Sequence, residues 1–169
     1  MNIYLTSLRP TDAEAINEHM RDKEISDNTL VIPFPYTIDD AHAFLERTKQ
    51  QAEERGAEKN FAIRSDDGEL MGLIGLHFNY GVDADKSEFG YWLGKKHWNK
   101  GVMTKAILLF SELVKEKYKI QQLEADVFHF NNTSMHVLEK CGFTRTGGTV
   151  THTKLNGEKV KGISYMKEI

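Results

Sequence analysis

The residues able to do chemistry concentrate in one stretch, Glu88-Phe89-Gly90-Tyr91-Trp92-Leu93-Gly94-Lys95-Lys96-His97-Trp98-Asn99-Lys100-Gly101-Val102-Met103-Thr104-Lys105-Ala106. A strand-like run ends in a basic, glycine-containing turn, and the turn opens a helix. The first N–H groups of a helix have no intrahelical acceptor, and the helix dipole adds partial positive charge at that end. Such a terminus cradles phosphate or pyrophosphate. Lys95, Lys96, Lys100 and Lys105 add formal charge around it. A Walker A loop is excluded, because Gly90 and Gly94-Lys95 lie one residue too close and Lys96 stands where Ser or Thr belongs. The G-x-G-x-x-G pattern of dinucleotide binding is absent. The pattern alone leaves two readings open, an anion cradle or a tight turn with solvated lysines.

A second stretch, Asn131-Asn132-Thr133-Ser134-Met135-His136-Val137-Leu138-Glu139-Lys140-Cys141-Gly142-Phe143, opens with helix-capping residues and closes on a glycine stop. Cys141 reads as a core residue. No Ser-His-Asp motif is visible. The seven histidines lack H-E-x-x-H-type spacing, so no metal is expected. His97, His129 and His136 lie nearest the chemistry-bearing segments, and His129 is a candidate proton relay.

The elements that must position these residues are legible from periodicity. Ile3 to Leu8 alternates as a strand. Thr11-Asp12-Ala13-Glu14 fits a capping box for a helix burying Ala13, Ile16 and Met20. Val31-Ile32-Pro33-Phe34-Pro35-Tyr36 reads as an apolar loop, since each proline restricts its predecessor. Thr37-Ile38-Asp39-Asp40 starts a second helix with Ala41, Phe44, Leu45 and Ala52 at helical spacing, ending at Gly56. Strands follow at Asn60–Arg64 and Leu70–Phe78 around the Asp67-Gly68 turn, with Gly72 and Gly75 as bulge candidates. A loop over 79–86 leads to a strand at Glu88–Leu93. Ala106, Leu109, Phe110, Leu113 and Val114 mark the helix after Gly101. Gln122–Phe128 is a strand, Asn131 or Asn132 caps a shorter helix, and Phe143–Val150 pairs with Val160–Met166 across Asn156-Gly157. The predicted class is a single α/β (α+β) domain over 1–169, mostly antiparallel, with one or two parallel crossovers.

Composition agrees. The chain has 169 residues, 40% hydrophobic, 28% charged and 10% aromatic. At this length it should bury about 70% of its unfolded surface. The net charge of −3 argues against gripping nucleic acid by bulk positive charge. One cysteine forbids an intramolecular disulfide and points to a reducing compartment. The N-terminus lacks a basic lead and a long apolar run, and no stretch reaches the ~20 apolar residues of a membrane span. A cytoplasmic protein without membrane attachment is expected.

The first segment resembles the acyl-CoA loop of the GNAT acetyltransferases, Q/R-x-x-G-x-G/A between a strand and a long helix. Trp98-Asn99-Lys100-Gly101-Val102-Met103 occupies that frame. The aromatic start and the preceding Gly90-Tyr91-Trp92 are similar to the ribosomal-protein N-terminal acetyltransferase branch. Asn131-x-x-Ser134 with Val137-Leu138-Glu139-Lys140-Cys141-Gly142-Phe143, and the opening Leu8-Arg9…Asp12, resemble that family in the same order. The resemblance implies a sheet splayed open to admit acetyl-CoA, and acetyl transfer to a primary amine. The acceptor it implies is a protein N-terminus first, then a polyamine or aminoglycoside.

Trp92, Leu93, Trp98, Asn99, Lys100, Gly101, Val102, Met103, Thr104 and Asn131 would hold acetyl-CoA, with a backbone N–H around Trp92, Leu93 or Gly94 facing the thioester oxygen. Glu88 would accept the amine's proton, or be a solvated strand-end carboxylate. Ser134 would protonate the leaving thiolate, or cap its helix. Asn99 and Met103 depart from the family's small residues, and Met103 threatens to crowd the pyrophosphate. Acids usual near the last strands are replaced by Thr146-Gly147 and Gly162-Ile163-Ser164-Tyr165. The acidic loops 24–27 and 83–85 suit a cationic acceptor. A homodimer fits the resemblance. The rival readings are a CoA-binding sensor without catalysis, and an interaction domain using the Val31–Tyr36 loop.

Overall fold

The computed structural model describes residues 2–78, 80 and 84–169. Seven strands form one sheet: β1 (Ile3–Ser7), β2 (Asn60–Ser65), β3 (Leu70–Leu76), β4 (Lys86–Leu93), β5 (Gln122–Phe128), β6 (Thr144–Thr153) and β7 (Lys159–Glu168). Their order is β1-β2-β3-β4-β5-β7-β6. Every neighbouring pair is antiparallel except β4 with β5. The helices are α1 (Ala13–His19), α2 (Lys23–Asp27), α3 (Ile38–Arg55), α4 (Val102–Tyr118) and α5 (Asn132–Lys140). None of them, among the described residues, is long and apolar enough to cross a membrane.

The sheet has two packed faces. Phe61, Ile63, Met71, Ile74, Phe89, Leu123 and Ala125 pack against Met103, Ala106, Ile107, Phe110 and Val114 of α4, with Met135 and Leu138 of α5. Ala62, Leu70 and Leu73 point the other way, against Ala13, Ile16, Met20, Ile25, Ala41 and Leu45. β3 is buried along its whole length. That explains its near-continuous apolar sequence, the pattern of a strand covered on both faces.

Several expectations shift by a residue or more. The capping box expected at Thr11 does not form. Asp12 instead accepts from the Arg9 N–H at 2.7 Å, closing a short 3-10 turn over Pro10–Asp12. The segment expected as an acidic loop over 24–27 lies within α2. The expected loop over 79–86 gives way to β4 at Lys86, and 79 and 81–83 lie outside the described residues. β3 stops at Leu76 rather than Phe78, whose φ of 48° leaves the extended region. Leu109 is exposed. The buried stripe of α4 runs instead through Met103, Ala106, Ile107, Phe110 and Val114, a wider helical face than the expected one. A register shift sits between Ile63 and Arg64, opposite Gly72. The Thr37–Asp40 capping box forms as expected, with the Asp40 N–H donating to Thr37 Oγ1 at 3.2 Å. The last hairpin turns with the Gly157 N–H donating to Lys154 C=O at 2.9 Å.

One buried ion pair ties the two ends of the first layer together. Arg64 on β2 donates to both oxygens of Asp12, at 3.0 and 2.8 Å, and its Nε donates to Thr6 Oγ1 at 2.7 Å. Both side chains are almost fully buried. Removing one partner strands the other charge in the interior. Asp12→Ala is therefore expected to cost about 3–5 kcal/mol in urea unfolding. A loss near that of an exposed pair, under ~1 kcal/mol, would show that the pair does not hold the layer.

Candidate active site

The site begins where the sheet fails to stay closed. β4 and β5 pair only through Lys86↔Gln122, Ser87↔Leu123 and Glu88↔Glu124. Both strands continue, to Leu93 and Phe128, but the ladder between them stops. A cavity of about 1430 Å³ passes through the gap.

Backbone alternation decides which groups face it. The His77 N–H donates to Glu88 C=O and the Gly94 N–H to Met71 C=O, each at 2.8 Å. In an antiparallel pair these bonded residues alternate with residues facing away. Trp92 and Gly94 are thus turned to β3, whereas Tyr91 and Leu93 present their backbone to the gap. The Leu93 carbonyl accepts from the Trp98 indole N–H at 2.7 Å. That bond pins the loop after β4, and of the three N–H groups expected at the thioester it leaves Leu93 facing the gap.

The loop then delivers the start of α4 to the same cavity. Asn99 and Gly101 both take left-handed φ, 59° and 72°. Gly101 is the residue before the helix, and a Cβ there would meet nothing within 4 Å. The first bond in is Lys105 N–H to Gly101 C=O, 3.1 Å, so the preceding helical N–H groups keep the orphan status of a helix start. Trp98, Asn99, Gly101, Val102, Met103 and Thr104 line the cavity here, and Lys100 stands outside its lining. Met103 is buried in the α4 core, so its bulk points inward rather than over the open terminus. The lysines are largely committed elsewhere. Lys95 pairs with Glu24, Lys96 with Glu69 at 2.5 Å, and Lys100 donates to the Lys96 carbonyl at 2.7 Å. Backbone rather than ammonium groups dominate the cradle.

Across the gap, Asn131 caps α5, its side chain accepting from the Ser134 N–H at 3.1 Å. Ser134 does not cap. Its hydroxyl meets the Tyr91 hydroxyl at 2.6 Å, so the two groups bridge β4 and α5 at the floor of the cavity. Burial pushes the Tyr91 phenol far above its ordinary value and keeps it protonated.

Glu88 is half-buried, and the lining on β4 begins at Phe89, one residue beyond it. Of the three histidines singled out from sequence, His97 and His136 line the cavity and His129 does not. His97 is buried, its Nε2 without a hydrogen bond among the described residues. Burial lowers its pKa, so it is neutral at pH 7. Cys141 is buried and free, and burial raises its thiol pKa.

The opposite mouth is lined by the Leu30–Pro33 segment and Tyr36, by Phe44 and Arg47 of α3, and by Leu155 at the hairpin tip. Burial and Asp40 push the Tyr36 phenol up to about 12. Sequence reasoning missed Asp126, His77 and His152, which also line the cavity. Asp126 was within reach, because Gln122-Leu123-Glu124-Ala125-Asp126 alternates polar and apolar residues and puts both acids on one face. An isolated histidine on a hairpin strand carries no such signal. Among the described residues no group of three or more His, Cys, Asp or Glu side chains converges as a metal site would require.

Comparison with known proteins agrees with this geometry. The acetyltransferase (GNAT) domain family matches residues 2–144. The "Probable N-acetyltransferase YjcK" of Bacillus subtilis (strain 168) is 30% identical over 159 residues, covering 92% of this chain and 87% of that protein. The microcin C7 self-immunity acetyltransferase MccE, solved with acetyl-CoA and AMP, superposes with a TM-score of 0.82 at 24% identity, covering 99% of this chain and 92% of that one. The spermidine N-acetyltransferase of Vibrio cholerae, solved with CoA and spermine, superposes with a TM-score of 0.78 at 21% identity, covering 98% and 95%. With the splayed sheet, the open helix start and the family match in agreement, the chain belongs to the GNAT family and is an acetyl-CoA-dependent N-acetyltransferase.

Proposed function

We propose that this enzyme acetylates a primary amine presented through the mouth opposite α4, with a protein N-terminus as acceptor. The observation that carries the reading is the continuity of the cavity, from the start of α4 through the β4–β5 gap to the segment at 30–36. An acyl carrier held at one end can put its thioester in the gap while an amine enters from the other. The open mouth has room for a chain terminus. A small polycation is the second reading, supported by the carboxylates along the acceptor face. Glu124, Glu88 and Asp126 all raise the pKa of the Tyr80 phenol, which reaches about 12.

The roles follow from where each group stands. The helix-start N–H groups at Val102, Met103 and Thr104 take the pyrophosphate, beside Trp98 and Asn99. Asn131 lies across the gap, beside the carrier's arm. The Leu93 N–H faces the thioester oxygen, where negative charge develops during attack. Ser134, backed by the protonated Tyr91, supplies the proton that the leaving sulfur takes. Glu88 receives the amine's proton through water, because it stands one residue outside the lining.

Titration calorimetry with acetyl-CoA, followed by CoA release with a panel of N-terminal peptides and spermidine, tests the reading. Micromolar binding with turnover on peptides is expected. Turnover on spermidine alone would move the acceptor to the second reading, and binding without turnover on any amine would leave a CoA-binding module.

Gly101→Val forces a β-branched residue into left-handed φ and fills the open terminus. It is expected to weaken acetyl-CoA binding at least ~10-fold, about 1.4 kcal/mol, alongside a stability loss of about 1–3 kcal/mol from the strained φ. Unchanged affinity would place the pyrophosphate elsewhere. Ser134→Ala and Tyr91→Phe should each lower kcat more than they change the acetyl-CoA Kd, and losses far from additive in the double variant would show that they act as one unit. Glu88→Gln is expected to lower kcat several-fold with acetyl-CoA affinity intact; wild-type turnover at neutral pH would remove it from the proton path.

A further inference from the structure

We propose that Asp126 and His152 form the pair that binds the incoming ammonium and takes its first proton. The proposal rests on the acetyltransferase reading and adds to it the catalytic side chains on the acceptor face. On β5, Leu123, Ala125 and Val127 belong to the α4 core, so Asp126 points to the opposite face. It lies two residues past Glu124, where the β4–β5 ladder ends. Continued register would set it level with Gly90, beside the gap.

Its carboxylate is hydrogen-bonded on one oxygen and faces a histidine with the other. Ser164 on β7 donates to Oδ1 at 2.6 Å, and His152 Nε2 on β6 stands 3.3 Å from Oδ2. Both side chains keep 19% of their surface open, and both line the cavity. The imidazole ring is held from below by Phe128, with centroids 6.1 Å apart. A Cβ on Gly162 would come within 2.9 Å of that ring, so the glycine at 162 is what admits it. Where the resemblance implies an acid near the last strands, Ser164 stands instead, and the acid it binds comes from β5.

The carboxylate's charge favours the tautomer. With Nε2 3.3 Å from Asp126 Oδ2, a proton held on Nε2 faces the negative charge and leaves the lone pair on Nδ1. Nδ1 has no hydrogen-bond partner among the described residues. The neighbouring charges favour a cation here. Glu124, bonded to Tyr80 at 2.6 Å and Gln122 at 2.7 Å, and Glu88 follow Asp126 along the face. Lys154 lies 5.7 Å from the Phe128 ring centre but donates to the Asp27 carbonyl at 3.0 Å, and Arg47 and Lys59 also line the cavity. His77 lines the same cavity and is kept neutral by burial and by Lys59.

The step balances as follows. An ammonium N–H bond breaks and an Nδ1–H bond forms on His152, with Asp126 stabilising the imidazolium. The freed amine lone pair forms the C–N bond to the thioester carbon, and the C–S bond breaks as the tetrahedral intermediate collapses. The nitrogen loses a second proton. His152 releases the first proton to solvent; the second passes through water and Glu88 and replaces the one that Ser134 gives to the sulfur.

The test uses the full-length enzyme with acetyl-CoA and the amine found active, comparing His152→Gln, Asp126→Asn and Ser164→Ala. His152→Gln is expected to lower kcat/KM about 10²–10⁴-fold, the range for a lost general base. Acetyl-CoA affinity and unfolding midpoint should stay near wild type. The acid limb of the pH profile should steepen toward that of the free amine. An acceptor already neutral at pH 7, such as a hydroxylamine, should recover most of the lost rate, which a merely structural role would not allow. Ser164→Ala, which keeps both members of the pair, should cost only several-fold. His152→Gln with wild-type kcat/KM and pH profile would overturn the pair and leave the transferase reading standing. Wild-type enzyme that binds acetyl-CoA but acetylates no amine would remove both.

Discussion

The interrupted hydrogen-bond ladder between β4 and β5 is the constraint on which the rest of the molecule depends. A sheet that pairs for three residues and then parts leaves backbone groups of Tyr91 and Leu93 without strand partners. Buried backbone groups left unpaired are costly, so the gap has to be built rather than merely tolerated. Three features build it. Trp98 takes the Leu93 carbonyl. Tyr91 and Ser134 close the floor through their hydroxyls. β3 holds the other edge of β4 along its length, from His77–Glu88 to Met71–Gly94. Held on one side only, β4 can offer its free edge to a ligand. Two hydrophobic layers, one under α4 and one under α1 and α3, keep the two half-sheets from closing or drifting apart.

The same economy governs charge. The loop before α4 reads as a basic cradle, but Lys95 and Lys96 are drawn away to Glu24 and Glu69 on the α1–α3 side. What remains at the helix start is a set of directed N–H dipoles. Point charges would bind many anions, whereas a fixed set of dipoles selects by shape. On the other face the carboxylates Glu88, Glu124 and Asp126 put the opposite sign along the parted strands. The polarity of the site is thus set by backbone on one side of the sheet and by side chains on the other.

Much of this was legible in the sequence because local rules carry it. The Thr37–Asp40 cap, the α4 start at Gly101, the Asn131 cap and the two hairpin turns are local signatures, and each forms where its residues predict. The misplaced features have tertiary causes. The capping box expected at Thr11 gives way to a 3-10 turn whose Asp12 takes the Arg9 N–H and a buried pairing with Arg64, fifty-two residues away. Leu109 is exposed because the face of α4 that meets the sheet runs through Met103, Ala106, Ile107, Phe110 and Val114. Glu24 to Asp27 became helix because Ile25 packs into the α1–α3 layer. At the site, Gly101 and Ser134 were marked by motif, whereas Asp126 was missed although the alternation of β5 carries it. The partner His152 arrives from β6, which reaches Asp126 only through β7. No local pattern encodes a contact made across an intervening strand.

The single opening that joins the two mouths also bears on how the reaction must be ordered. The chain's one cysteine is sealed in the core, its sulfur 3.6 Å from the Thr104 carbonyl, with burial holding the thiol protonated. No thiolate is therefore exposed to carry an acyl group between two half-reactions. A cavity that passes between the parted strands gives donor and acceptor separate mouths, so the two can reside together. A ternary complex and intersecting double-reciprocal lines would be the kinetic expression of a sheet that opens through its middle rather than at one face.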